Sequence, residues 1–182
     1  MAEVDVGDDI AGRERHRRIL HDSRGLYKQL EPDQPSRAAT FPPSIPRMAY
    51  THATELRVRY AETDRMGVVY YANYLVWCEV GRVELLRSLQ RSYAALEADG
   101  IGLAVSEARV RYLSPARFDD LVRIETTLTS VRSRAITFDY LISNAESGTQ
   151  FATAHTALVS IDAAGRPTAI PADFRSALEA VL

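Results

Sequence analysis

One stretch of mixed three- and four-residue apolar spacing, followed by four stretches of two-residue alternation, constrains this chain more than any other feature. From Asn73 to about Tyr93, the residues Val76, Trp77, Val80, Val83, Leu86 and Leu89 recur as along one face of a helix, with no proline among them. Before it, Leu56, Val58 and Tyr60 alternate with Glu55, Arg57 and Arg59, the pattern of a half-buried strand. After Gly100 and Gly102 the period returns to two, with Ser106, Ala108, Val110 and Tyr112 set against Glu107, Arg109 and Arg111. Further strands are predicted around Val122–Leu128, Ile136–Ile142 and Phe151–Ile161, joined by turns at Ser130–Arg134 and Asn144–Gly148. A short helix over Ala172–Leu178 closes the pattern. Strand, long helix, then four strands predicts an α+β domain: one helix packed on a five-stranded, mainly antiparallel sheet. Such a sheet has edges and a face that need covering, so a homodimer or homotetramer is expected. Gly81, in mid-helix, costs about 1 kcal/mol against alanine, and close approach of another backbone is the expected reason.

The bulk properties exclude several classes of function. A chain of 182 residues suits one globular domain, and a formal net charge of −2 advertises no affinity for nucleic acid. The lone cysteine, Cys78, rules out an intrachain disulfide framework or a multi-cysteine zinc site and fits a reducing compartment. No apolar run approaches the roughly 18–20 residues of a membrane span, and the charged N-terminus lacks a secretory core. The expected location is the cytoplasm.

Composition changes near residue 50. Before it come an acidic start, the basic run Arg13–Arg18 and a Pro/Ser-rich stretch from Glu31 to Pro46. This predicts a disordered extension over residues 1–50, with a marginal helix over 10–30, and a globular domain over 51–182. Met48 sits where the globular pattern begins, which makes it an alternative start.

Chemistry concentrates in Tyr60-Ala-Glu-Thr-Asp64-Arg-Met-Gly67-Val-Val-Tyr70-Tyr71-Ala-Asn73-Tyr74. This segment sets a carboxylate between a strand and the N-terminus of the longest helix. A helix N-terminus offers unpaired N–H groups and a partial positive charge, suited to an oxyanion. A carboxylate beside it can attack a carbonyl or deprotonate water. On these grounds alone, the better reading of Asp64 is the cap of a turn or helix start.

The segment closely resembles the signature of the 4-hydroxybenzoyl-CoA thioesterase family, the acyl-CoA thioester hydrolases of the hotdog fold. A second piece, Tyr112-Leu-Ser-Pro115-Ala116-Arg117-Phe-Asp119-Asp120, resembles the family's turn after the second strand, and the likeness spans roughly Glu55–Pro171. The resemblance implies hydrolysis of an acyl- or aryl-CoA, with Asp64 as nucleophile or general base and the Tyr71 N–H polarising the thioester carbonyl. It implies that Tyr60 shapes the site. It calls for no cofactor or metal, the CoA thioester being the substrate. Some members carry histidine at the position of Tyr71, so a mechanism needing imidazole there is excluded.

Other residues are candidates with plainer alternatives. Gly67, Val68, Tyr70, Asn73 and Tyr74 are candidates to line the substrate site, although Asn73 suits an N-cap better. Alternation points Glu62 away from Asp64. Trp77 is read as core, and His155, with no carboxylate pattern nearby, as a core or interface histidine. Arg132 and Arg134 in a tight turn are candidates for CoA phosphates, as is Arg117, less strongly, because Asp119 and Asp120 are at hand to pair with it. Acyl carrier protein is the alternative substrate carrier, and a non-catalytic acyl-binding module the alternative function. The chain lacks the Gly-x-Ser-x-Gly elbow that a serine thioesterase of the α/β-hydrolase type would carry.

Overall fold

A computed structural model describes residues 50–91 and 93–182. The expected extension over residues 1–50, with its helix over 10–30, basic run and Met48, lies outside the described residues except for Tyr50. The elements are β1 (Thr51–Arg57), α1 (Asn73–Ser88), α2 (Tyr93–Ala98), β2 (Gly102–Tyr112), β3 (Leu121–Val131), β4 (Ala135–Asn144), β5 (Gln150–Ile161) and α3 (Ala172–Glu179). The five strands form one sheet in the order β1-β3-β4-β5-β2, and every neighbouring pair is antiparallel.

The period-two residues Val122, Ile124 and Leu128 of β3, Ile136, Phe138 and Ile142 of β4, and Leu158 of β5 are buried on one face. Trp77, Cys78, Leu85 and Leu86 of α1 join them in a single core. Each such Leu, Ile or Phe stabilises the fold by about 1.5–3 kcal/mol. α1 crosses β1 and β3 most closely, which leaves much of β2, at the sheet edge, exposed.

Three boundaries differ from those expected, each for a physical reason. β1 starts earlier, at Thr51, and stops at Arg57, because residues 60–62 tighten into a 3-10 turn. α1 ends at Ser88 rather than near Tyr93. Gln90 takes φ 56° there; its N–H bonds Arg87 O (2.9 Å) while Arg91 N–H bonds Leu86 O (2.9 Å), a complete left-handed helix stop. Gly81 is approached by side chains rather than backbone: a Cβ there would lie 2.4 Å from Thr126 Oγ1 and 2.9 Å from Ile124 Cγ2.

The sheet has two distinct ends. Arg57, Tyr112, Leu121, Asn144 and Gln150 mark one of them. The β3–β4 turn, with Arg132 and Arg134, marks the other, roughly 30 Å away along the ten steps of β3. Tyr50 also lies at that far end, where its N–H bonds Val181 O (3.2 Å) and its carbonyl accepts Leu128 N–H (3.1 Å).

Candidate active site

Beyond β1 the chain folds into a miniature hairpin that presents Asp64. Thr63 bridges Val69, Asp64 N–H donates to Val68 O (2.8 Å), and Gly67 N–H returns to Asp64 O (3.0 Å). Gly67 closes the turn at φ +72°, a conformation that favours glycine. Asp64 Oδ1 accepts Met66 N–H (2.8 Å), so the carboxylate does cap the turn. Its other oxygen, Oδ2, has no hydrogen-bond partner among the described residues.

The hairpin leads into α1 through Tyr70–Ala72. Tyr70 N–H donates to Glu62 O (2.8 Å), and Tyr70 O accepts Asn73 N–H (2.9 Å). The main-chain N–H groups of Tyr71 and Ala72, just before and at the helix N-cap, meet no acceptor among the described residues. Asn73 is not the N-cap that its residue type suggested. Ala72, already helical at φ −68°, ψ −23°, holds that position, and Asn73 Nδ2 donates instead to Glu62 O (2.8 Å).

The two segments singled out in the sequence meet in space. Ala116 O accepts Val69 N–H (2.9 Å) and Ala116 N–H ends on Tyr74 Oη (3.1 Å). Tyr112 Oη donates to Tyr71 O (3.0 Å), and the Tyr112 ring meets Tyr74 edge-on at 5.2 Å. Tyr60 packs edge-on to Phe118 at 5.6 Å. Tyr112, Ala116 and Phe118 therefore support the site, although no role had been assigned to them. Their partners lie about forty to sixty residues away in sequence, and the signal for them was the family-like segment Tyr112–Asp120, which named no partner.

The remaining candidates separate by burial and place. Val68 and Tyr74 are buried, whereas Tyr60, Tyr70 and Tyr71 stand exposed with Met66. The Tyr70 and Tyr71 rings lie 4.5 Å apart. Arg117 is exposed at the site end with Nη1 3.5 Å from Gly67 O; its main-chain N–H caps onto Asp120, while Asp119 pairs with Arg57. Arg132 and Arg134 sit at the opposite end of the sheet, out of reach of Asp64 within one chain.

Three further groups acquire definite surroundings. Glu62 is buried, its carboxylate held by Arg59 and by Trp77 Nε1. Burial alone would raise its pKa; the N–H donors of Arg59 and Trp77 outweigh that and hold it below the ordinary carboxylate value. Cys78 is fully buried, and burial pushes its thiol up to about 12, so it is no thiolate. His155 does have a carboxylate partner: Asp139 Oδ1 lies 2.5 Å from Nδ1 on the sheet face opposite α1, supplied by β4–β5 register rather than by local spacing. No group of three or more His, Cys, Asp or Glu among the described residues is arranged to hold a metal ion. No helix among them is long and apolar enough to cross a membrane.

A profile of the Thioesterase-like superfamily matches residues 58–178, the span from the end of β1 to α3. The chain belongs to that family. It is a thioester hydrolase of the hotdog fold. It is 38% identical over 117 residues to the acyl-CoA thioester hydrolase YbgC of Escherichia coli O6:H1, covering 64% of this chain and 87% of that one. It is 33% identical to the chloroplastic acyl-acyl carrier protein thioesterase ATL3 of Arabidopsis thaliana, over 71% of this chain and 68% of that one. Among solved structures, a DHNA-CoA thioesterase from Staphylococcus aureus superposes with a TM-score of 0.68 at 32% identity, over 72% of this chain and 90% of that one.

Proposed function

We propose that this protein hydrolyses an acyl- or aryl-CoA thioester to the free acid and CoA, with Asp64 as the reacting carboxylate. The observation that carries the reading is the pairing of a half-committed carboxylate with an uncommitted helix N–H. Asp64 spends one oxygen on Met66 N–H, and the loop that holds it leads directly to Tyr71 N–H. The substrate carbonyl oxygen takes the Tyr71 N–H, which stabilises the negative charge that develops there. Asp64 Oδ2 then adds to the carbonyl carbon, or takes a proton from a water that does so. The C–S bond breaks, CoA leaves as thiolate and takes up a proton, and the acyl group ends as a carboxylate. If Asp64 is the nucleophile, an intervening mixed anhydride is cleaved by water. No cofactor or metal is required by this route. Tyr60, Gly67, Val68, Tyr70, Asn73 and Tyr74 shape the surrounding pocket.

Asp64→Asn tests the assignment cleanly, because the amide oxygen still accepts Met66 N–H and preserves the turn. Thiol release should fall by about 10²–10⁴-fold with the fold and oligomeric state unchanged. Undiminished release would sink the role of Asp64 and assign the chemistry to another group. Rapid-quench trapping separates the two chemistries, since only the nucleophilic route forms an acyl-enzyme anhydride at Asp64.

The likeness to ATL3 favours a second carrier, acyl carrier protein, which presents the same phosphopantetheine arm. Arg117, at the site end, is the candidate CoA-phosphate anchor on the same chain as Asp64, whereas Arg132 and Arg134 would serve from another subunit. Arg117→Ala should raise KM for a CoA ester and leave that for the matching pantetheine ester unchanged.

The edge strand β2 supports a homo-oligomer. It pairs with β5 alone among the described strands and exposes Val105 and Tyr112 along its length. Sedimentation should return a dimer or tetramer. A free, buried Cys78 fits work in the reducing cytoplasm.

A further inference from the structure

The geometry points to Glu62 as a positioning residue of the hydrolytic site, its anchored main-chain carbonyl holding the Tyr71 N–H in register with Asp64. The inference rests on the roles given above to Asp64 and Tyr71.

A carboxylate that is only 5% exposed must have its oxygens satisfied, and Glu62 does. Oε2 accepts Arg59 N–H at 2.8 Å. Oε1 accepts Arg59 Nη2 at 3.0 Å and Trp77 Nε1 at 3.3 Å. Trp77 is itself 1% exposed, locked one turn into α1. The side chain of Glu62 is thus tied to the body of the helix and to the end of the β1 segment.

Its carbonyl is tied to the helix start. Tyr70 N–H and Asn73 Nδ2 both end on Glu62 O, each at 2.8 Å, so the bonds bracket residue 71 on both sides. Within the 70–71 peptide the C=O and N–H point in opposite directions. Tyr70 O is engaged by Asn73 N–H, which aims the Tyr71 N–H away from the helix. Tyr112 Oη fixes the next carbonyl, Tyr71 O. In the other direction along the chain, Glu62 is two residues from Asp64, with only Thr63 between, and Thr63 is bridged to Val69. One residue therefore sets the spacing between attacking carboxylate and carbonyl-polarising N–H. Misplacement of such partners by about 1 Å costs on the order of a hundredfold in rate.

Glu62→Gln keeps the size of the side chain but turns an NH₂ toward one of three donors. With the CoA ester turned over fastest by the wild type, kcat should fall by about tenfold to a hundredfold while KM stays within about threefold. Trp77→Phe keeps a core ring and deletes one donor, so kcat should fall in the same direction by less. The infrared carbonyl band of the bound ketone analogue of that ester, with CH₂ inserted between carbonyl and sulfur, should lose part of its downshift in both variants. A merely structural role would lower the unfolding midpoint but leave kcat per folded molecule and the carbonyl band unchanged, and that result overturns the inference. If Glu62→Gln does not fold, Trp77→Phe decides by the same two readouts. Full activity in Asp64→Asn would instead remove the reading beneath. An inactive Asp64→Asn beside a fully active Glu62→Gln and Trp77→Phe would remove the positioning role alone.

Discussion

Tyr74 Oη accepts the main-chain N–H of Ala116 at 3.1 Å, in a place where Ala116 is wholly buried. That bond joins the helix start to the turn after β2, the two segments that frame Asp64. Tyr74→Phe leaves the ring in place and strands a buried donor, which costs about 1–3 kcal/mol. Urea unfolding should register that loss as a lower midpoint at unchanged slope. An unchanged midpoint would mean that the Ala116 N–H finds another acceptor.

Gly81→Ala should destabilise the protein even though alanine favours the helix. The added Cβ would press on Thr126 Oγ1 and Ile124 Cγ2, both on the interior strand β3. Overpacking of this kind costs about 1–3 kcal/mol, against roughly 1 kcal/mol gained in propensity. Thermal unfolding is the measurement, and a raised midpoint would show that α1 can lift from the sheet without penalty.

Glu62 predicts a specific acid response. Its carboxyl is held below the ordinary value of 4.5 by the Arg59 and Trp77 donors acting against burial. The stability this contributes is present in full above that value and is lost as pH falls through the lower, folded-state pKa. The stability gap between wild type and Glu62→Gln should therefore be constant near neutrality and close on acidification below about 4.5. A gap independent of pH would show that the Glu62 charge does not contribute.

Cys78 should be inert in the native state. With no exposed surface and a thiol pushed up to about 12, it offers neither access nor thiolate at mildly alkaline pH. Ellman's reagent should leave the folded protein unlabelled and titrate one thiol per chain in denaturant. Rapid labelling of the folded chain would indicate local opening of α1.

Element types were legible in the sequence wherever one periodicity ran unbroken, as in α1 and β3–β5. The end of α1 was not, because Gln90 occupies a left-handed position that sequence patterns reserve for glycine or asparagine. Gly100, which ends α2 in the same way, carries the usual signal. Asp64 stood out because a helix start and its preceding loop are neighbours in sequence. Glu62 did not, since alternation turned it away from Asp64 and its partner Trp77 lies 15 residues on. The pairing of His155 with Asp139 depends on the register of β4 and β5, which local spacing does not encode.

The bond between Tyr50 and Val181 brings the two extremities of the described chain together at the end of the sheet remote from Asp64. Seven residues of β1, about 20 Å, separate that junction from the Arg57 end. A tether at Leu182 would therefore hold the enzyme with its mouth turned outward. Bead coupling or a C-terminal reporter should leave turnover intact, which makes this chain suitable for immobilised use.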